Sequence, residues 1–345
     1  MLLGVLFHAL VFVYLYQEPA SLEEFLGIVF VHQLLHTFRM PAFFMIAGFF
    51  AVMLVLSRGG KDFLKNRTQR ILFPLLIFWQ PMVVLNAYSS RMGWYGKTGY
   101  PPPGDLLPSD DTQHLWFLYF LFIFALLVWL IAPVIKRLEQ RAFSFSPMLI
   151  VLTLAAIGPL IPDAIGRELN TSTRLIPDFG VLLFYFLAFG LGGAIYLARE
   201  TVLPRIASKA FWSLAIGLVS FLVFFLTQDW GVWWSRWAYS LAIWMLSIAV
   251  LGLFLRVATK ESAPLRFIAD GSYWLYIIHL PIVFFFLVAL SEAGASAPVT
   301  VLVTTIATIS ISYLSYKLLV RSTFLGWLLS GRRYPFRNKR EITDS

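Results

Sequence analysis

Cysteine is absent from the 345 residues, which excludes disulfides, thiolate metal ligation and an acyl-cysteine intermediate. Charge is scarce too. Asp, Glu, Lys and Arg make up 13% of the chain, about half of the roughly 25% usual in soluble globular domains. So little charge cannot clothe a water-soluble fold of this size. What fills the chain instead is apolar, 59% hydrophobic and 17% aromatic. A membrane-spanning helix needs about 20 mostly apolar residues, so the length accommodates about ten spans with short connections. The expected fold is an all-α membrane bundle.

Acidic residues are the scarcer sign, and the formal charge is +9. The Lys and Arg residues fall in short clusters between apolar runs and not along one amphipathic face. That pattern reports membrane topology and predicts no nucleic-acid partner. Expected spans are 1–16, 38–56, 71–87, 115–135, 147–161, 179–197, 211–227, 237–255, 267–290 and 299–319. They are continuously apolar, unlike the alternating strands of a membrane barrel, so they are expected as helices. One set of alternate loops carries Arg58, Lys61, Lys65, Arg67 and Arg70, then the clusters at 136–141, 199–209 and 256–266, and finally the tail 321–345. The other set holds only Arg91, Lys97, Arg167, Arg174 and Arg236. The positive-inside rule then places both termini in the cytoplasm of a cell whose inner membrane holds the chain.

Residues 1–16 have no basic lead-in and no small-residue cleavage site, so they read as a span and not as a signal peptide. Sixteen residues cover only about 24 Å of a hydrocarbon layer of about 30 Å. A start upstream of Met1 is the expectation. The connector 88–114 contains GYPPPGDLLPSDD, whose prolines and glycines forbid a regular helix; it reads either as a lid or as a plain irregular connection. Trp94, Tyr95, Tyr100, Trp230, Trp233, Trp234 and Trp237 crowd the outer ends, where interfacial aromatic belts account for them.

Ionisable groups within apolar spans are costly and point to function. His8 lies midway along the first span, in MLLGVLFHALVF, either as a helix-packing hydrogen bonder or as a reactive imidazole. His279, in GSYWLYIIHLP, precedes Pro281 by two residues and can satisfy polar groups freed at a proline kink. His36 and Arg39 share a helix face in HTFRMPAFFMIAGFF. Counted back from Ser57, Arg39 lies about 27 Å from the inner end, as a snorkelling arginine or as an anion-binding or acceptor-positioning one. Arg67 and Arg70 form Arg-x-x-Arg in KDFLKNRTQRILFP; paired guanidinium forks suit a phosphate, and the positive-inside bias also accounts for them.

Taken in order, the mid-span His8, FRMPAFFMIAGFF, Arg-x-x-Arg, HLWFLYFLF with its leading His114, and GSYWLYIIHLP resemble the membrane acyltransferase-3 family over essentially the whole chain. The closing RSTFLGWLLSGRR is similar to the end of that family's glucan-modifying branch. The resemblance implies an acyltransferase-3-like transmembrane domain over 1–320 and a basic cytoplasmic tail over 321–345. It implies transfer of an acyl group, succinyl or acetyl, from cytoplasmic acyl-CoA to a hydroxyl of a periplasmic or cell-surface glucan. Acyl-CoA is then a co-substrate, and no cofactor or metal is called for. Family motifs fall on His8 and on Arg67 and Arg70, with His36, Arg39, His114 and His279 matching further strings as candidates for acceptor binding or cavity lining.

Acyl transfer needs a base for the hydroxyl proton. With no cysteine, a neutral His8 is the expected base, and Arg67 and Arg70 are expected to hold the donor's phosphates. One departure stands out. The family carries an arginine eleven residues before the first-span histidine, a position that here precedes Met1. The alternatives are a transporter or exporter of a saccharide or lipid-linked sugar and a non-catalytic scaffold among other glucan-synthesis proteins.

Overall fold

The computed structural model describes residues 1–98, 110–141, 145–166, 168–230, 232–257, 262–332 and 334, with the side chains of 91–98 excepted. Residues 99–109 of the connector 88–114, Arg167 and the tail beyond residue 334 lie outside the described residues.

The described chain is all-α, with only isolated bridges of extended backbone. Its helices are α1 (Leu2–Tyr16), α2 (Leu22–Arg58), α3 (Gly60–Arg67), α4 (Phe73–Thr98), α5 (Trp116–Leu130), α6 (Ala132–Glu139) and α7 (Pro147–Ile157). They continue as α8 (Phe179–Leu197), α9 (Arg199–Ser208), α10 (Ala210–Thr227), α11 (Ser235–Val257), α12 (Ala263–Glu292), α13 (Ala297–Ser315) and α14 (Phe324–Ser330). Among the described residues, eight helical stretches are long and apolar enough to cross a membrane, and two apolar stretches, Leu2–Tyr16 and Pro147–Leu160, are shorter. Each of the ten expected spans falls on one of these.

The largest difference from expectation is α2, which starts at Leu22 and not near residue 38. Nothing between 22 and 58 breaks a helix except Pro41, through which α2 continues, and Glu23 and Glu24 favour its first turn. Thirty-seven residues rise about 56 Å, nearly twice the hydrocarbon thickness, so α2 carries a long extension beyond Arg39. It stops at Gly59, whose φ of 79° suits glycine alone.

Two compact units make up the chain. The first combines 1–22, 69–109 and 261–345. In it α1 and α13 run antiparallel, with Gln17 Nε2 just past α1 donating to Thr300 Oγ1 of α13 at 2.9 Å, while Ser291 Oγ of α12 donates to the Tyr16 carbonyl at 2.7 Å. Thr300, Thr304, Thr308 and Ser312 recur every fourth residue and are fully buried, the spacing of small side chains that lets helices approach closely in lipid. At the other end of α13, a Cβ on Gly271 of α12 would press on the rings of Tyr313 and Tyr316.

The second unit combines 23–68 and 110–260. Its core gathers Phe44 of α2 with Trp116, Phe117 and Phe124 of α5 and Tyr185 of α8, at ring separations of 4.8 to 5.9 Å. Beside this cluster α2 and α8 cross backbone to backbone. A Cβ on Gly48 would meet the Phe189 carbonyl, and one on Gly192 the Met45 carbonyl. Segment 110–115 is stitched to the 158–178 connection, with Thr112 N–H donating to the Thr173 carbonyl at 2.7 Å and Leu175 N–H to the Asp110 carbonyl at 3.2 Å.

Candidate functional site

The first unit brings together two histidines that lie 271 positions apart in the chain. His8 on α1 and His279 on α12 face each other with ring centroids 5.1 Å apart. Phe12 stacks on the His8 ring at 5.7 Å, and Phe7 meets it edge-on at 5.1 Å. His279 is buried, with Nδ1 2.7 Å from the Tyr276 carbonyl. A carbonyl only accepts, so the proton of that bond is on Nδ1, and a neutral ring then presents Nε2 as its acceptor. His279 thus bonds the carbonyl three residues earlier in its own helix, one residue before the Ile277 carbonyl that the missing N–H of Pro281 would have met, and it also packs against the other imidazole, which no single span could reveal.

The string around His279 works as a set of fastenings. Gly271 admits the rings of Tyr313 and Tyr316, Tyr273 OH donates to the Arg70 carbonyl at 2.7 Å, and Trp274 Nε1 donates to Ser315 Oγ at 3.0 Å. Arg70 lies in a π-helical turn, Thr68–Leu72. A Cβ on Gly331 would fall inside the Arg70 guanidinium. Gly331 ends α14 in the left-handed region, φ 69°, its N–H donating to the Trp327 carbonyl at 2.7 Å. Within the closing string RSTFLGWLLSGRR, Gly331 thus leaves room for the Arg70 side chain.

Arg67 belongs to the second unit, where its guanidinium lies over the Phe63 ring at 5.5 Å. Helix α3 ends at Arg67 and the π turn begins at Thr68. The rule that residues three apart share a face holds for α-helices, so it does not carry across this junction.

His36 and Arg39 of α2 are both buried in the second unit. His36 Nε2 donates to the Leu169 carbonyl at 2.7 Å and lies 3.9 Å from the Glu168 carboxylate. His32, one turn earlier, stacks against His36 at 5.9 Å and comes within 4.0 Å of the same carboxylate. Gln33 Nε2 donates to Glu168 Oε1 at 3.0 Å. Burial pushes the Glu168 carboxyl above its ordinary range, against the opposing effect of the Gln33 hydrogen bond. The His32-x-x-x-His36 spacing is legible in the sequence, though nothing local sets it apart from other polar residues on α2. Glu168 had no signal at all, because a loop residue reaches α2 only through the tertiary fold. His114 is buried in the turn Gln113–Leu115 that leads into α5. Its neighbours Trp116, Phe117 and Phe120 are core packing, so HLWFLYFLF is as much a structural string as a functional one. No group of three potential ligands suited to a metal occurs among the described residues.

These features define a multi-span membrane protein with paired imidazoles on its apolar helices and arginines at helix ends. A family model described as an acyltransferase domain matches residues 1–317, and the chain belongs to that acyltransferase-3 family. It is similar to the glucans biosynthesis protein C of Escherichia coli O81 (strain ED1a), with 24% identity over 96% of this chain and 92% of that protein. The proteins of the same name from Shigella dysenteriae serotype 1 (strain Sd197) and Escherichia coli (strain K12) are 26% and 25% identical over the same shares. No solved structure matches.

Proposed function

We propose that this protein is a membrane O-acyltransferase that moves an acyl group, succinyl or acetyl, from cytoplasmic acyl-CoA to a hydroxyl of a periplasmic or cell-surface glucan, across the inner membrane. The observation that carries this reading is the placement of His8 halfway along α1 against the buried His279 ring. His8 is the base. It takes the proton of the acceptor hydroxyl as that oxygen bonds to the thioester carbonyl carbon. The carbon–sulfur bond then breaks, and the imidazolium returns the proton to the departing CoA thiolate. His279, itself bonded to the Tyr276 carbonyl, positions the His8 ring.

Arg67 and Arg70 hold the donor's phosphates through charge-assisted hydrogen bonds, Arg70 with its side chain seated against Gly331. His36 and Arg39 take part in acceptor binding, together with Glu168, which the loop delivers to the same helix face. The glucans in the relatives' names and the carbohydrate-compatible set of carboxylate, amide and imidazole groups support a saccharide acceptor.

The test is acyl substitution of cellular glucan by His8→Ala and Arg67→Ala variants at matched protein abundance. General-base loss is expected to lower transfer by roughly 10²- to 10⁴-fold for His8→Ala. Wild-type substitution in both variants would refute the mechanism.

A further inference from the structure

Away from the histidines, the second unit contains a cavity of about 230 Å³ between α7, α9, α10 and α11. Its floor is apolar and buried, formed by Val151, Ile206, Met245 and Ile248. Exposed Arg205 and Lys209 also line it. No carboxylate is among the described residues that line it.

The cavity lies where the start of α7 meets α9, with Arg205 Nη1 donating to the Phe145 carbonyl at 3.2 Å. At one end α7 is level with the start of α11, since Trp237 Nε1 donates to the Ala156 carbonyl at 3.3 Å and a Cβ on Gly158 would meet Ser240 Oγ. Counting eleven residues from the Gly158–Ser240 contact at 1.5 Å per residue brings Pro147 about level with Leu251. Helix α11 continues to Val257, about 9 Å further. Helix α9 covers the far end of that stretch. A Cβ on Gly252 would touch the Ile206 carbonyl, and Arg256 Nε donates to the Ala207 carbonyl at 2.6 Å. Between the start of α7 and the end of α9 the bundle is left with an apolar recess under a rim of two cations.

From this geometry we infer that the recess binds one anionic phospholipid. Its phosphate pairs with Arg205 and Lys209, and its glycerol end and first methylenes cover Val151, Met245 and Ile248. Charge complementarity selects the head: a basic pocket between membrane helices, on the side carrying the basic loops, suits an anionic headgroup. The exposed Leu149 and Leu152 of α7 offer the acyl chains a lipid-facing track.

The experiment is native mass spectrometry of the purified full-length protein in detergent, titrated with phosphatidylglycerol and, separately, phosphatidylcholine. Wild type is expected to retain one phosphatidylglycerol at least fivefold more strongly than phosphatidylcholine. An Arg205→Ala/Lys209→Ala double variant is expected to lose that preference, and Arg205→Lys to keep most of it. Equal retention of the two lipids by wild type, a comparison that needs no variant, would overturn the inference. So would an unchanged preference in the double variant, or displacement of the lipid by excess coenzyme A, which would make the recess a donor site.

Discussion

His8, taken alone, is one polar residue on an apolar helix, and its sequence neighbours say nothing of its environment. Its significance comes from His279, 5.1 Å away between ring centroids, and from the Tyr276 carbonyl that holds the proton of His279 on Nδ1. Glu168 shows the same logic in the second unit, with a sign that can be worked out. Its carboxyl is pushed up in the folded protein, mainly by burial, so the folded state binds its proton more tightly than the unfolded chain does. Its ionisation therefore costs stability, a cost absent below the unfolded value and complete once pH rises above the folded one. Glu168→Gln keeps an acceptor for Gln33 and removes the charge. It should raise the melting temperature in detergent at pH 8 and leave it nearly unchanged at pH 4; an equal shift at both pH values would contradict the burial argument.

At the scale of elements, glycines decide where backbones and side chains may approach. The Gly48 and Gly192 positions put the backbones of α2 and α8 in contact, and a side chain there meets carbonyls that cannot swing aside. Gly48→Leu should destabilise the protein by about 1–3 kcal/mol or more, read as a lower midpoint of thermal unfolding with loss of the near-ultraviolet signal from the Phe44 and Trp116 cluster. Gly331 acts on one side chain instead. Gly331→Ala both strains a left-handed cap and evicts the Arg70 guanidinium. Losing a charge-assisted contact worth about 1.5–3 kcal/mol should raise the KM for acyl-CoA by roughly tenfold or more, with kcat largely retained. A fall in kcat at unchanged KM would assign Arg70 a different task.

For the molecule as a whole, the cysteine-free chain permits a direct test of orientation. Single-cysteine variants Arg58→Cys, Arg141→Cys and Trp233→Cys place one thiol each on exposed positions. With the basic loops inside, a membrane-impermeant maleimide should label only Trp233→Cys in intact spheroplasts and all three after permeabilisation. Labelling of Arg58→Cys in intact spheroplasts would reverse the assignment. That every expected span is a helix, and that Arg58, Arg141 and Arg205 lie in alternate connections, was readable from periodicity and from the Lys and Arg clusters. The extent of α2 was not, because charged and histidine side chains between 22 and 37 look like a loop when a membrane span is being sought, yet contain no residue that stops a helix.

Composition and order of residues by themselves determined that this protein lives in a bilayer, that it is built of helices, and which histidines fall within its apolar spans. Burying an ionisable group has a local price that a single span already displays. Which of these groups meet was decided only by the tertiary structure. The contact between His8 and His279, the seating of Arg70 on Gly331, the approach of Glu168 to α2 and the recess beneath α7 all depend on helix ends and crossings set by packing between segments far apart in the chain, where no local periodicity reaches.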